Sequence, residues 1–340
     1  MIIKEKFNFI DELIDPETKS KLELDTSNSE KVVVKNINGK EYVPINGILD
    51  LYLNSKGDEL NNIQSEFYNE IKFPNYDNID NFGTLLKKGD ESIFGSKLDE
   101  EIPIQGRVLE AGCGTGQMSL YLSRFNREIF GIDLSHGSLL LAEKFKIEND
   151  IDNVNFLRMN LRNLFFKDNY FDVIISNGVL HHTSDPKQGF INLTNYLKDD
   201  GYIVIGLYHK YGRLWTNIRQ ALIKYFGNGF KFLDKRNFSN EFSEGKKKAW
   251  FNDQYKNPKE SSHTYSEVLG WFEEANIDFV SSIPFSFPNG LKDDKLFKRK
   301  QKEGKLSIFV TELLQAFSLS QIKEGGFFIM VGKKPAIRNK

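Results

Sequence analysis

The stretch 107–122, RVLEAGCGTGQMSLYL, determines how the rest of this chain is interpreted. An apolar run that ends in Glu110 is followed by three alternating glycines, Gly112, Gly114 and Gly116, and then by apolar residues at helical spacing. Glycines allow positive φ and close approach of a ligand to the backbone, and the first turn of a helix has unpaired N–H groups. The stretch therefore predicts a strand, a nucleotide-binding turn and a helix.

The spacing of the glycines argues against a dinucleotide ligand. The dinucleotide fingerprint G-x-G-x-x-G requires its third glycine at the position where this chain has Gln117. The spacing therefore weakens the interpretation of the loop as an NAD site.

Composition restricts the class of protein. With 340 residues, a formal net charge of −1 and 39% hydrophobic residues, the chain is long enough for one large α/β domain plus an appendage and is expected to be soluble and globular. No apolar run approaches the roughly 20 residues that span a bilayer, and the first residues lack the pattern of a signal peptide, so a cytoplasmic protein is expected. Because Cys113 is the only cysteine, disulfides within the chain and cysteine-based zinc sites are excluded.

Changes in pattern divide the chain into three regions. Residues 1–53 alternate short apolar runs with Asn-Gly turns, which predicts a small β-rich module. Residues 54–101 are polar and are expected to form a linker or a helical lid. The large α/β domain is expected over residues 102–340, with insertions at 211–262 and 286–325.

From Arg107 to Lys210, strand patterns alternate with helical patterns. Five strands in this order predict a doubly wound parallel sheet with right-handed crossovers, whose ligand lies at the carboxyl ends of the strands. Asp133 ends the second strand pattern, seventeen residues after Gly116. A carboxylate there faces a ribose that the glycine loop positions, and it accepts hydrogen bonds from both ribose hydroxyls.

With these residues the chain resembles the class I S-adenosylmethionine-dependent methyltransferases. LEAGCGTG at 109–116 matches their first motif and Asp133 matches their ribose-binding acid. FDVIISN at 171–177 and VLHH at 179–182 match their fourth-strand motif. The resemblance implies a Rossmann-like sheet of seven strands that ends in an antiparallel pair.

The resemblance also implies S-adenosylmethionine as the cofactor. The glycine loop meets its methionine part, and a residue after the third strand meets the adenine amine. That residue is commonly Asp but here is Asn160, whose side-chain carbonyl is expected to accept from the amine, with Met159 and Leu161 beside the ring. The implied cofactor-binding residues are Glu110, Gly112, Cys113, Gly114, Gly116, Gln117, Asp133, Leu134, Asn160, Leu161 and Asn177.

The N-terminal module resembles the small zinc-ribbon-like domains that accompany many methyltransferases. DPET at 15–18 stands where those domains have a Cys-Pro-x-Cys knuckle, and YVPINGI at 42–48 matches their closing run. Since the cysteines are absent, the module is expected to be metal-free and held by packing. Its role is either activation of the enzyme or packing and dimerisation.

Methyl transfer from a sulfonium depends mainly on positioning, so a catalytic base is optional. A base assists when the acceptor is a hydroxyl or an activated carbon. His181 and His182, after the fourth strand, and Tyr208 and His209, after the fifth, are the candidate bases. The histidine pair followed by Asp185 suggests a metal site, but without a further nearby ligand no metal is expected.

The segment 249–264, AWFNDQYKNPKESSHT, is predicted to form the substrate lid, because aromatic and polar groups are concentrated in it. The alternative is a surface loop with its aromatic residues packed inward. Asp253 and His263 are further candidate bases. The predicted substrate-binding residues are Tyr208, Trp250, Tyr255 and His263.

Amphipathic helical patterns occur at 59–71 and 213–226, and a basic run, KLFKRKQKEGK, occupies 295–305. The second pattern and the basic run permit peripheral contact with a membrane, whereas nucleic acid is not favoured because no basic groove with interleaved aromatic residues is visible. The expected function is methyl transfer to a small-molecule or lipid-like acceptor on O, N or C. The alternatives are an RNA or protein methyltransferase and a non-catalytic cofactor-binding regulator, and the oligomeric state is left open.

Overall fold

The structure, a computed structural model, describes residues 7–25, 32–53, 59–70, 74–226, 251, 257, 259–283, 295–298, 308–310, 312–313 and 326–336. The strands are β1 Glu23–Asp25, β2 Val33–Lys35, β3 Glu41–Tyr42, β4 Pro44–Ile45, β5 Ile48–Asp50, β6 Arg107–Ala111, β7 Glu128–Asp133, β8 Val154–Arg158, β9 Phe171–Asn177, β10 Leu197–Tyr208, β11 Asp278–Ile283 and β12 Phe327–Lys333. The helices are α1 Glu59–Glu70, α2 Phe82–Glu91, α3 Ile93–Glu101, α4 Gln117–Leu122, α5 His136–Glu148, α6 Pro186–Asn195, α7 Leu214–Phe226 and α8 Tyr265–Glu274.

Strands β4 to β12 form one large sheet in the order β11-β12-β10-β9-β6-β7-β8-β5-β4. Neighbours from β10 through β5 run parallel, and β12 is antiparallel to both β10 and β11. The predicted doubly wound α/β fold with an antiparallel end is therefore confirmed. The switch in strand order beside β6 places the ligand edge at the carboxyl ends of β6, β7 and β9.

The large sheet has nine described strands rather than the expected seven, because a hairpin from the N-terminal region joins its edge. Leu49 and Asp50 of β5 pair in parallel with Leu157 and Arg158 of β8. The Arg158 Nη1 atom lies 2.8 Å from the Asp50 carboxylate, which fixes this register. Strands β1, β2 and β3 form a separate small antiparallel sheet.

Apolar side chains cover both faces of the central strands. Ile174 and Ile203 are buried in the core on one face, and Ile175 and Val204 are buried on the other. This two-sided burial explains why the central strands are almost continuously apolar in sequence.

Polar residues set the starts of the helices around the sheet. The side chains of Asn81, Ser135, Asp185 and Thr264 each accept a hydrogen bond from a first-turn N–H of α2, α5, α6 and α8, respectively. Asp185, a candidate metal ligand on the basis of the sequence, thus has a capping role at the N-terminus of α6.

The N-terminal residues pack directly on the large sheet. The Phe9 ring lies edge-on against Phe130 of β7, with ring centroids 5.9 Å apart. Tyr42 of the small sheet makes a similar contact, at 5.3 Å, with Phe165. These aromatic contacts and the β5–β8 pairing join the small sheet to the α/β core.

A single buried carboxylate, that of Asp15, organises the small sheet. One of its oxygens accepts from the backbone N–H groups of Glu17 and Thr18, at 2.7 and 3.0 Å. The other accepts from Asn36 Nδ2 at 2.8 Å and from the Tyr42 hydroxyl at 2.7 Å. Burial by itself raises the pKa of Asp15, but these hydrogen bonds bring it below the usual value overall. The module is held at this point by hydrogen bonds to a carboxylate, in addition to packing.

Replacing Asp15 with Ala is expected to lower the free energy of unfolding by about 3 kcal/mol or more, because four donors lose their acceptor and two of them, on Asn36 and Tyr42, are buried. Urea unfolding measures the change, and Asp11→Ala, at an exposed position of the same module, is the matched control. Since the folded-state pKa of Asp15 is lowered, its contribution is present above about pH 3.9 and is lost as the pH falls below that value. Equal stability of the two variants would contradict the role of Asp15.

Candidate functional site

The glycine loop leaves no room for side chains at two of its positions. Gly112 and Gly116 have φ of 83° and 75°, and Gly114 has φ of 53°. A Cβ atom at Gly112 would lie 2.3 Å from a methyl of Val179, and one at Gly116 would lie 2.5 Å from the Phe156 ring. Both the backbone conformation and the close neighbours therefore require glycine.

Glu110 caps the helix that follows the loop. Gly116, at the start of α4, has no side chain to cap the helix, and the Glu110 carboxylate accepts instead from the backbone N–H of Ser119 at 2.8 Å and from its hydroxyl. Burial raises the pKa of Glu110 to about 7, although the hydrogen bonds from Ser119 oppose the shift. The motif acid thus has a structural role in holding α4 against β6.

Asp133, at the end of β7, holds the loop from the other side. Its two carboxylate oxygens accept from the backbone N–H groups of Gly114 and Ser135, both at 2.8 Å. Burial raises the pKa of the Asp133 carboxyl, while these N–H groups and that of Leu134 oppose the rise. Each oxygen keeps a lone pair for a further donor, as two ribose hydroxyls require.

Asn160 follows β8 at the neighbouring strand end and is buried between Met159 and Leu161. Its Oδ1 atom accepts from the backbone N–H of Arg162 at 3.1 Å. Its Nδ2 atom is buried and has no hydrogen-bond partner among the described residues. A buried donor without a partner fits an adenine ring, whose nitrogens are acceptors, so the amide presents its donor where the sequence predicted its carbonyl.

The segment 74–76, which lies in the region expected to be a linker or a helical lid, covers the glycine loop. The Tyr76 hydroxyl donates to the Thr115 carbonyl at 2.7 Å, and the Thr115 hydroxyl donates to the Pro74 carbonyl at 2.5 Å. Gln117 donates to the Asn75 carbonyl at 2.8 Å. The Gln117 amide, assigned to the cofactor by sequence, therefore holds this cover in place.

Helix α1 lies over the carboxyl edge of the sheet. Ser65 donates to the Leu134 carbonyl at 3.1 Å, and Asn69 accepts from the backbone N–H of Gly137 at 2.8 Å. Gln64 donates to the Asn257 side chain at 3.0 Å and makes longer contacts, at 3.4 Å, with the carbonyls of His182 and Lys259. The amphipathic pattern at 59–71 predicted this helix, in the region expected to be a linker or a helical lid.

His181 and His182 form a 3₁₀ turn after β9. The His181 ring is fully buried, with its centroid 4.1 Å from that of Tyr208 and 4.2 Å from that of His182. Burial, followed by the nearby His182 and Arg213, lowers the pKa of His181 well below its usual value. His182 Nδ1 lies 3.0 Å from the Lys259 carbonyl oxygen.

Tyr208 and His209 lie on opposite faces of the sheet because they are adjacent at the end of β10. The Tyr208 ring contacts His181, and the Arg213 guanidinium lies 3.9 Å from the Tyr208 centroid. The His209 ring instead packs against Tyr265 on the other face, and burial lowers the pKa of His209 to about 4. The structure therefore brings His181, His182 and Tyr208 together and separates His209 from them.

His263 reaches this region through its backbone, since its N–H donates to the Tyr208 carbonyl at 2.8 Å. Its ring nitrogens lie 2.9 Å from the Ser261 hydroxyl and 2.8 Å from the Glu267 carboxylate. Glu260, in the same segment, pairs with the buried Arg213. The remaining residues predicted for the lid, Trp250, Asp253, Gln254 and Tyr255, lie outside the described residues.

The other sequence-predicted features are placed as follows. Helix α7 forms as predicted and exposes Leu214 and Ile218. Of the basic run, only residues 295–298 are described. Among helices of the described ranges, no candidate for a membrane span occurs, and the same ranges contain no cluster of three His, Cys, Asp or Glu suited to a metal ion.

Comparison with known proteins matches residues 109–205 to the family described as "Methyltransferase domain". The malonyl-[acyl-carrier protein] O-methyltransferase of Bacillus anthracis is 28% identical over 174 residues, which cover 49% of this chain and 59% of that protein. The mitochondrial ubiquinone biosynthesis O-methyltransferase of Dictyostelium discoideum is 29% identical over 126 residues, which cover 34% of this chain and 39% of that protein. The chain spans about half the length of the curated relatives it matches.

Among solved structures, the fold is similar to that of PKMT2 from Rickettsia typhi in complex with AdoHcy. The TM-score is 0.50 at 16% sequence identity, and the match covers 70% of this chain and 50% of that one. This likeness concerns the fold.

The free energy of unfolding is expected to depend on pH through Glu110. Because its folded-state pKa of about 7 lies above the unfolded value of 4.5, the stabilisation is complete below pH 4.5 and is lost as the pH rises through 7. A shift of this size corresponds to a loss on the order of 3 kcal/mol. Glu110→Gln keeps the acceptor for Ser119 and removes the titration, so its stability should fall less over this range in urea unfolding.

Glu100→Gln is the control for this measurement, since Glu100 is exposed on α3 and its replacement should leave the pH dependence unchanged. An identical pH dependence in Glu110→Gln and the wild type would rule out the buried, proton-binding carboxyl.

Proposed function

We propose that this chain, a member of the class I S-adenosylmethionine-dependent methyltransferases, transfers a methyl group to a small-molecule acceptor at the carboxyl edge of its large sheet. The observation that carries this proposal is the site within the matched domain: a carboxylate at the end of β7 that fixes the glycine loop, and a buried amide donor without a partner at the end of β8. These two groups suit a ribose and an adenine ring, respectively.

In this proposal the ribose hydroxyls donate to the two oxygens of Asp133, each of which already accepts one backbone N–H. The Nδ2 atom of Asn160 donates to a ring nitrogen of the adenine, between Met159 and Leu161. The backbone of residues 112–116 receives the methionine part, since no side chain intervenes there. Glu110 and Gln117 act indirectly, by holding α4 and the 74–76 cover.

S-adenosylmethionine supplies an electrophilic methyl group on a positively charged sulfur. The chain contributes by holding the acceptor in line and by excluding water, and positioning of this kind supplies on the order of 7–11 kcal/mol in favourable cases. Helix α1 and the 74–76 segment provide the cover. The first is hydrogen-bonded to the loop after β7 and the second to the glycine loop after β6.

The acceptor is proposed to lie where β9 and β10 end, beneath α1. Val179 contacts the glycine loop at Gly112, and His181, two residues further on, contacts Tyr208. The acceptor therefore sits beside the methionine end of the cofactor. The relatives named as methyltransferases of malonyl-[acyl-carrier protein] and of ubiquinone biosynthesis support a small or carrier-bound acceptor that is methylated on oxygen.

Replacing Asp133 with Asn is expected to weaken S-adenosylmethionine binding by roughly 10- to 100-fold, because a charged acceptor of two hydroxyl donors contributes about 1.5–3 kcal/mol. Titration calorimetry measures the dissociation constant. Because burial raises the pKa of Asp133, wild-type affinity should fall at acidic pH sooner than for an ordinary aspartate.

The control for this experiment is Asp168→Asn, an exposed carboxylate at the opposite edge of the sheet, which should bind the cofactor as the wild type does. Unchanged affinity in a folded Asp133→Asn protein would refute the cofactor site.

A further inference from the structure

Three side chains near the ends of β9 and β10 carry polar atoms that no described residue satisfies. Both ring nitrogens of His181, the Oε1 atom of Gln64 and the Oε2 atom of Glu260 are buried without a hydrogen-bond partner. His181 is fully buried, Gln64 is 6% exposed and the Glu260 side chain is 14% exposed. Since buried polar groups are nearly always paired, a cluster of this kind points to a bound ligand.

These three side chains belong to segments that are joined to one another by hydrogen bonds. Ser261, next to Glu260, donates its backbone N–H and its hydroxyl to the His181 carbonyl at 2.8 and 3.0 Å. Gln64 Nε2 reaches the His182 and Lys259 carbonyls at 3.4 Å. Helix α1, the 180–182 turn and the 259–261 segment therefore meet at one place.

The unpaired atoms are mostly hydrogen-bond acceptors. The Gln64 amide nitrogen is already engaged, which leaves its carbonyl oxygen, and Glu260 has one oxygen on Arg213 and the other unused. A neutral histidine adds one acceptor and one donor. Within these three side chains there are three acceptors against one donor, and one acceptor is a carboxylate, so they suit a ligand with several hydroxyl groups.

The surroundings of the cluster are aromatic. The His181 ring lies against Tyr208 and 6.4 Å from the Phe327 ring centroid, and the Tyr68 ring of α1 lies 6.3 Å from that of His182. Aromatic walls favour a flat, apolar ring, which interacts with them by stacking or edge contacts. A ring that bears neighbouring hydroxyls satisfies both the walls and the acceptors.

We propose that Gln64, His181 and Glu260 bind a hydroxylated aromatic acceptor of the catechol type, and that His181 accepts the proton of the hydroxyl that is methylated. This inference rests on the proposed function, because it places the acceptor beside the methyl donor. In the step, the hydroxyl oxygen forms a bond to the methyl carbon as the carbon–sulfur bond breaks with its electron pair on sulfur. The hydroxyl proton passes to the unprotonated ring nitrogen of His181 and then to solvent.

The electrostatic surroundings keep His181 neutral before the reaction. Burial is the largest influence against the protonated form of His181. Three nearby groups add to it: His182 in the same turn, Arg213 after β10 and His263 in the 259–263 segment. Glu260, in the same segment, is paired with Arg213. A neutral imidazole is the form that a general base needs.

The pH profile with catechol as the probe tests the role of His181. Wild-type kcat/KM is expected to be flat between pH 6.5 and 8.5, since the base is already neutral. In His181→Gln it should fall by roughly 100-fold or more and rise about tenfold per pH unit, because the hydroxyl must then ionise unaided. His209→Gln, which removes a buried imidazole from the other face of the sheet, should keep the flat profile.

A binding measurement without turnover provides the second readout. Catechol added to the protein with S-adenosylhomocysteine should shift the imidazole carbon-bound proton signal of His181, assigned by its loss in His181→Gln, whereas 1,2-dimethoxybenzene should not. Gln64→Met, which removes one acceptor, should raise the dissociation constant of catechol about tenfold.

Calorimetry with S-adenosylmethionine separates the two proposals. If the cofactor binds but catechol neither shifts the His181 signal nor is methylated, the acceptor proposal is overturned and the proposed function stands. If the cofactor does not bind, the proposed function itself fails. A flat pH profile in His181→Gln would overturn the role of His181 as the base.

Discussion

The close approach of the glycine loop to its neighbours is the constraint on which the rest of the site depends. Val179 occupies the space that a side chain at Gly112 would need, and Phe156 occupies the space beside Gly116. This contact brings the turn after β9 against the loop after β6. The proposed acceptor residues therefore lie beside the proposed cofactor-binding residues. Asp133 then fixes the loop by accepting the Gly114 N–H.

Burial sets the protonation of the groups around this loop in a consistent direction. It raises the pKa of Glu110 to about 7 and lowers that of His181 well below its usual value, so each group is driven toward its neutral form. The consequences differ because the partners differ. Glu110 has Ser119 as a donor and caps a helix, whereas neither ring nitrogen of His181 has a hydrogen-bond partner among the described residues.

The N-terminal region shows how a resemblance in sequence and the physical arrangement complement each other. The pattern around Asp15 indicated a ribbon without its metal ligands, and the structure shows a carboxylate with four hydrogen bonds at that position. The same region supplies β4 and β5 to the large sheet. The local sequence of this hairpin predicts its strands but does not predict which sheet they join. Its pairing with β8 depends on contacts between residues more than 100 positions apart along the chain.

The sequence by itself determined the order of strands and helices, the glycine loop and the strand end that carries Asp133, because hydrophobic periodicity and backbone requirements are local properties. Only the tertiary structure decided which strand-end loops α1 contacts, that residues 74–76 are bonded to the glycine loop through hydrogen bonds, that the unpaired atom of Asn160 is a donor and that His181 and His209 face opposite sides of the sheet. Each of these depends on which distant segment supplies a hydrogen-bond partner or fills a space. The glycine loop could be predicted from its residues, whereas the proposed acceptor site depends on segments distant in sequence, namely α1, the ends of β9 and β10, and residues 259–263.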